Sequence, residues 1–466
     1  MRNTKNYRIV SVLLTFLLLV SLLVGCSSTG VTSTGVTSTS AKAPSASTSS
    51  ESASASTSEN SGLFANKELN RLIDQNHKEV EKNGWAELRI PASMHGITED
   101  FVDPDAVDAA KKLLAEGYEV YVVGGAIRDL IMGYPANDFD LATNASITEI
   151  KRILGDVTTH DVGDMTFAYA HYPTQIVDVA PFYNIPVAYY GSEGIPEFNP
   201  QERITDKAIN DSFRRDLTMN SIYYDMSNGD IVTWQGGLYD IREQQINTIA
   251  EPNLQMTDDP SVTIRALRFK ARYNYKFSDR LEEAMRSGCP IYLDALDPDS
   301  MAFNLPKLFN GGYATESYNV LVDYNGFETL FPSTEGYGSD AAFQSYMKVA
   351  MAQFDALYAG GTKVSEQLMF STILWPMIAR EENFDRALEK HISLQFKKCA
   401  TDYEIINSMR RMLRLEEKLT TEATQNHAEL IASSDEFADA LRLLEIRALA
   451  GDVPTQTLDF WKTYAK

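Results

Sequence analysis

Asp138 and Asp140 stand two residues apart, and on a strand that spacing turns both carboxylates to one face. Two carboxylates on one face suit a hard, oxygen-seeking cation such as Mg²⁺, and paired metals can activate an attacking hydroxyl and neutralise a leaving pyrophosphate. A calcium loop would want Asn or Asp followed by Gly where Ala142 and Thr143 stand, so it is disfavoured. A D-x-D pair alone is ordinarily a solvated turn. Its surroundings change that reading. Gly124 and Gly125 let the backbone approach a ligand where a Cβ would clash. A helix opening near Ala126 offers unpaired N–H groups and a positive dipole end to phosphate. Arg128 could hold phosphate oxygens bidentately or pair with Asp129. Glycines, arginine and carboxylates together in "VVGGAIRDLIMGYPANDFDLAT" (122–143) describe a nucleoside triphosphate site.

The elements that must position these residues alternate. Phe64 to Asn83 reads as a polar helix ending near Gly84, and Asp105 to Glu116 as an amphipathic helix stopped by Gly117. Tyr118 to Val123 is β-rich, Ile127 to Met132 starts a helix, Phe139 to Leu141 suits a strand, and Ile147 to Leu154 a helix. Phe167 to Tyr172 and Gln175 to Ala180 read as paired strands, the second carrying Asp178 on one face with Ile176 and Ala180. This alternation makes the region α/β or α+β. From Asp211 the pattern is mainly helical apart from a hairpin-like patch around Tyr223 to Trp234, and 313–466 is helical with short Gly or Pro breaks.

The string G-G-x-x-R-D-x-x-x-G-x-x-x-x-D-x-D-x-x-T resembles the nucleotidyltransferase signature of the class II tRNA CCA-adding enzymes and bacterial poly(A) polymerases. Three more strings match in order. "IVDVAPF" resembles the strand carrying a third metal-site carboxylate, with Asp178 where the family usually has glutamate. "RRDLTMNSIYYD" (214–225) resembles the second motif, with Asp216 and Asn220 on one helical face at the ribose and Arg214 and Arg215 near the triphosphate; "WQGGLYDI" resembles the Gly-Gly loop after it. "DDPSVTIRALRFKARYNYKF" (258–277) resembles the base-selecting motif, with Asp259, Arg265 and Arg268 in matching positions and Val262 where the family has arginine.

The resemblance implies an α+β fold: a polymerase-β-like head, a small mixed sheet with helices, followed by an all-helical neck, body and C-terminal region. It implies Asp138, Asp140 and Asp178 as the catalytic, Mg²⁺-holding carboxylates, and ATP or another NTP as substrate. Gly124, Gly125 and Arg128 would hold the triphosphate, while Asp216, Asn220, Asp259 and Arg265 would shape the nucleotide pocket. Strings such as "RIPASMHGI" and "KLFNGGYATESYNVLVDYNGFETLFP" lean toward the poly(A) polymerase branch, whose substrate is an RNA 3′ end. Lys397, Lys398, Arg410, Arg411 and Arg414 could make a basic RNA-binding patch, with solvated helix faces the equal alternative. Asn247, Gln255 and Val262 stand where that family tends to have arginine, and the sequence closes without the branch's basic extension, so a weakened RNA grip is expected.

Residues 1–26 read as an export signal: Arg2, Lys5 and Arg8 precede an apolar run that closes on Leu23-Val24-Gly25-Cys26. The ending resembles the bacterial lipobox, which implies lipidation of Cys26 and a membrane-anchored protein facing away from the cytoplasm. Residues 27–62, nearly all Ser, Thr, Ala and Gly, form a flexible tether. The boundaries expected beyond it are a lead-in at 63–100, a head at 101–250, a neck at 251–312 and a C-terminal domain at 313–466. Net charge is −22, which opposes generic attraction to nucleic acid. Cys289 and Cys399 do not make a disulfide framework. Two other readings stand beside tailing of RNA: a catalytically quiet surface lipoprotein that binds a nucleotide or protein, and CCA addition to tRNA.

Overall fold

The computed structural model describes residues 62–162, 165–182, 208–421 and 427–465; the signal-like segment with Cys26 and the tether up to 61 lie outside them. Strands form at Leu88–Ile90 (β1), Val120–Val123 (β2), Asp140–Thr143 (β3), Val157–Val162 (β4), Met165–His171 (β5), Ile176–Pro181 (β6), Ile222–Asp225 (β7), Ile231–Thr233 (β8), Gln245–Ile246 (β9) and Lys276–Phe277 (β10). β1 to β8 join one sheet in the order β1-β8-β7-β2-β3-β6-β5-β4, and β9 pairs with β10 separately. Within the large sheet β3 and β6 run parallel while every other neighbouring pair is antiparallel, so the sheet is mixed.

Alternation along the strands gives the sheet two faces. Val120, Val122, Leu141, Val177, Val179, Ala168, Ile222 and Ile231 point into the main core shared with the helices. Tyr121, Val123, Ala142, Tyr223 and Val232 form a second apolar cluster with Ile209 and Phe213, and Phe167 and Tyr169 a third. Asp140 and Asp178 have the parity of that second face.

Local sequence sets the helix limits. Asn66 accepts from the backbone N–H of Glu68 and Leu69 to open Lys67–Asn83, and Gly84 closes it at φ 79°. Ser146 and Glu149 form a capping box on Ile147–Leu154. From Pro252 onward helices dominate, with β10 the only strand there among the described residues. Proline does not always break them as the sequence suggests: Pro376 lies inside Glu366–Ala379, where burial from Leu368 through Ile378 holds the helix despite a missing N–H. Cys289 and Cys399 are free, buried thiols. Among the described residues no helix is long and apolar enough to cross a membrane.

One buried charge in the helical region gives stability a pH dependence. Glu416 Oε1 accepts from Arg447 Nη1 at 2.7 Å, while its buried Oε2 has no partner. Burial outweighs the guanidinium and pushes the Glu416 carboxyl up to about 7. Its stabilisation is therefore complete below the ordinary value of 4.5 and is lost as pH rises through 7. Thermal melts should show the wild type losing stability relative to Glu416→Gln across that window; parallel profiles would clear Glu416 of the effect.

Candidate active site

Strand register brings two of the three carboxylates together. Val123 pairs with Asp140 across β2 and β3, which sets Asp140 beside the bend at Gly124. Asp140 Oδ2 lies 4.0 Å from where a Cβ on Gly124 would stand, and Gly124 has φ 89°, a conformation that favours glycine. Leu141 pairs with Val179 across the parallel β3 and β6, so Asp140 and Asp178, one residue earlier in each strand, face one another. Asp138 arrives differently. β3 begins at Asp140, so strand alternation does not relate the two: Asp138 is an exposed loop residue with φ 55°. Pro135 and this left-handed position keep the segment out of the ladder, and aspartate tolerates both. Its charge nonetheless acts on Asp140 and Asp178.

The trio carries more negative charge than its surroundings cancel. Burial pushes Asp140 up to about 6; Arg215 and Arg214 oppose the rise and Asp138 adds to it. Burial, Asp140 and Asp138 together push Asp178 up to about 8. Tyr169, opposite Asp178 in β5, is raised to about 12 by burial and by the same carboxylates. Among the described residues no three His, Cys, Asp or Glu side chains are gathered into a ready metal cage. Mg²⁺ commonly takes one or two carboxylates plus substrate phosphates, so an all-oxygen set with uncompensated charge fits it.

The arginines are held by acids. Arg214 Nε donates to Asp211 Oδ1 at 2.5 Å, and Arg215 Nη2 and the Tyr223 hydroxyl donate to Asp211 Oδ2 at 2.8 and 2.7 Å. Asp211 is fully buried; against that burial the two guanidiniums hold its carboxyl well below the usual carboxylate range. The spacing of Asp216 and Asn220 predicts one helical face; instead the helix ends at Phe213, Leu217 bridges to Thr248, and Asn220 closes a 3-10 turn. The side chains still meet, with Asn220 Nδ2 donating to Asp216 Oδ1 at 2.9 Å. Arg265 ties this turn to the next motif through Asp216 Oδ2 at 2.7 Å, Asp259 Oδ2 at 2.9 Å and Ser261 Oγ at 2.6 Å.

Arg128 is buried, and of its two possible roles the pairing with Asp129 is the one formed, Nε to Oδ1 at 2.9 Å. It also donates to Asn220 Oδ1, and its guanidinium lies 4.6 Å over the Phe269 ring. Asp129 accepts from Arg272 Nη2 at 2.9 Å and from the Tyr273 hydroxyl at 2.7 Å, which bolts helix Gly125–Ile131 to helix Ser261–Tyr273. Gln255 Nε2 donates to the carbonyls of Arg215 and Asp216 at 3.1 and 2.8 Å, and Asn247 Oδ1 accepts from Ser278 Oγ at 2.8 Å. Two positions expected to be basic thus carry neutral clamps, and Val262 is buried in the main core. Sequence reasoning overlooks Asp211 as an organiser of the site, and it gives Asp129 only as a partner of Arg128, not of Arg272 and Tyr273. The helical i, i+3 and i, i+4 spacing from Asp211 to Arg214 and Arg215 is the signal that could have found it.

Residues 120–247 match the Poly A polymerase head domain, and residues 378–466 the Polymerase A arginine-rich C-terminus. Both matched models describe regions of poly(A) polymerases. Poly(A) polymerase I of Escherichia coli O6:H1 is 25% identical over 343 residues, covering 71% of this chain and 72% of the relative. A CCA-adding enzyme of Bacillus pumilus is 27% identical over 242 residues, covering 52% and 58%. Among solved structures, the Bacillus stearothermophilus CCA-adding enzyme in complex with CTP aligns with a TM-score of 0.57 at 20% identity, covering 79% of this chain and 82% of that one. The Thermotoga maritima CCA-adding enzyme complexed with tRNA aligns with a TM-score of 0.54 at 18% identity, covering 78% and 83%. The shared fold is a mixed-sheet head followed by helices.

In this chain the expected basic patch is largely self-neutralised. Lys398 pairs with Asp294, Arg410 with Glu389 at 3.0 Å, Arg411 with Glu436 at 2.5 Å, and Arg414 with Asp385 at 3.0 Å; Lys397 is exposed. Two cavities, of about 530 and 710 Å³, lie away from the carboxylates, one beside Tyr318 and Phe343, the other beside Trp85 and Trp234. The Gly-Gly loop packs behind the turn Thr218–Asn220: a Cβ on Gly237 would stand 2.2 Å from the Thr218 carbonyl oxygen. Gly237→Ala must therefore displace the turn carrying Asn220. We expect about 1–3 kcal/mol of destabilisation in denaturant melts, with weakened nucleotide binding; a variant matching wild type in both would show that the turn yields freely.

Proposed function

We propose that this chain is a membrane-anchored, Mg²⁺-dependent nucleotidyltransferase of poly(A) polymerase type. It would add NMP units, AMP by resemblance, from NTP to an RNA 3′-hydroxyl and release pyrophosphate. The observation that carries this reading is Asp140 facing Asp178 beside the Gly124 bend, with Asp138 acting on both. Bound Mg²⁺ would lower the cost of forming the attacking alkoxide and of releasing pyrophosphate. Asp138, Asp140 and Asp178 would hold it. Gly124 and Gly125 leave room for the triphosphate, and Arg214 and Arg215 supply positive charge beside Asp140. Arg128 fixes Asn220, and Asp216, Asn220, Asp259 and Arg265 wall the nucleotide pocket. The poly(A) branch is favoured over CCA addition because its relative spans 71% of the chain against 52%. The head, neck and C-terminal divisions given above, and lipidation at Cys26, belong to the same proposal.

The test is extension of an RNA primer by the purified chain with each NTP and Mg²⁺, followed by sequencing of the product. Runs of A support the reading, and a single CCA added to truncated tRNA replaces it with CCA addition. Nucleotide binding without incorporation on any primer would favour the quiet lipoprotein, a reading supported by the carboxylate-paired state of Arg128, Arg214, Arg215 and Arg265. Cell fractionation with mass analysis of the mature N-terminus tests the anchor.

A further inference from the structure

Around the site nearly every cation has an acid. Arg128 and Arg272 pair with Asp129, Arg214 and Arg215 with Asp211, and Arg265 with Asp216 and Asp259. Arg268 is the exception: its guanidinium lies 5.0 Å over the Phe269 ring, with no hydrogen bond or ion pair to any described residue. A second uncommitted cation stands in its field. Lys307 belongs to helix Pro298–Phe309, which packs against helix Ser261–Tyr273 carrying Arg268. Its Nζ rests 3.1 Å from the centre of the Phe303 ring, and it too has no carboxylate partner among the described residues.

Each cation rests on a ring without a counter-charge among the described residues. Burial is the main influence against the charge on Arg268; Tyr313 opposes it, and Arg128, Arg265 and Arg272 each add a smaller push in the direction of burial. Burial and the neighbouring Arg268 drive the Lys307 ammonium down to about 7, with Asp138 opposing and Arg265 adding. Two partly desolvated cations without an anion cost free energy that an entering anion would recover. The helix that Lys307's helix packs against also carries Arg265, which is bonded to Asp216 and Asp259. The anion suited to a compact ammonium beside a planar guanidinium is a phosphate.

We propose that Lys307, with Arg268, binds phosphate oxygens of the substrates, a role for which sequence reading did not single out Lys307. The inference rests on the nucleotidyltransferase reading for the source of the phosphate, either the triphosphate of the incoming nucleotide or a phosphodiester of the RNA end.

The test measures binding rather than turnover, so it stands whether or not the chain incorporates nucleotide. Wild type, Lys307→Met and Lys307→Arg are titrated calorimetrically with tripolyphosphate, ATP, adenosine and a short RNA. Loss of one charge-assisted contact should weaken tripolyphosphate and ATP about tenfold in Lys307→Met, leave adenosine unchanged, and be largely restored in Lys307→Arg. Weakening of the RNA alone would assign the contact to the phosphodiester. Because Lys307→Met removes an unpaired, partly buried charge, its Tm should equal or exceed the wild-type value. Unchanged binding of all phosphate probes overturns the proposal, and so does a wild type that binds none of them. A lowered Tm with uniform weakening, adenosine included, also overturns it, because it marks Lys307 as structural. A phosphate-specific loss in Lys307→Met, together with a wild type that fails every primer-extension assay, keeps this inference and rejects the catalytic reading.

Discussion

Asp140→Asn is expected to cut Mg²⁺-dependent incorporation by at least about 10³-fold while leaving the protein as stable as wild type or more so. Asparagine preserves the shape of the side chain at the head of β3 and removes only its charge. That charge stands opposite Asp178 across the parallel β3–β6 register and within reach of the Gly124 bend. Like charges placed there repel, and burial raises the cost for both, so the folded chain is relieved when one is lost. Function and stability should therefore move in opposite directions, the signature of a site whose strain serves chemistry. Single-turnover incorporation and thermal melts check the two halves. If Asp140→Asn incorporates nucleotide like wild type, the metal assignment fails. If it instead unfolds, Asp140 is a structural residue and its facing partner needs another explanation.

What could be read from sequence was local or string-like. The helix Ile147–Leu154 is announced by Ser146 and Glu149, the strand pair β5–β6 by its alternation, and the head fold by a resemblance carried in several strings. The facing of Asp140 and Asp178 was implied only through that resemblance, because the parallel β3–β6 pairing joins segments separated by two other strands. Where local rules were extended across a break they failed. Asp138 sits in a left-handed loop rather than on a strand, and the chain from Arg214 to Leu217 leaves the helix that would have aligned Asp216 with Asn220. In the second place a side-chain hydrogen bond brings the groups together by another route, while Asp138 acts on the other two carboxylates by repulsion. Charge state was the least legible property. A sequence shows that Arg128, Arg214, Arg215 and Arg268 are cations, but not that three of them are held by buried acids and one is not.

Asp211 should prove the most stability-critical side chain in the head, with Asp211→Ala costing about 3–5 kcal/mol. Its carboxylate has no surface exposure and receives Arg214, Arg215 and the Tyr223 hydroxyl. Truncation leaves two guanidiniums and a phenol in the protein interior without their acceptor, and Arg215 Nε already lacks one. The penalty arises from what remains, which makes it separable by a second substitution. Removing Arg215 as well should recover part of the loss, so a cycle of Asp211→Ala, Arg215→Met and the double variant should give a coupling energy above about 1 kcal/mol by denaturant melts. Additive losses would mean that Asp211 stabilises the head through packing alone. The same cycle reads the site: the guanidiniums released from Asp211 lie in the field of Asp140 and would swing toward it. Incorporation should accordingly fall further in Asp211→Ala than its folded fraction explains.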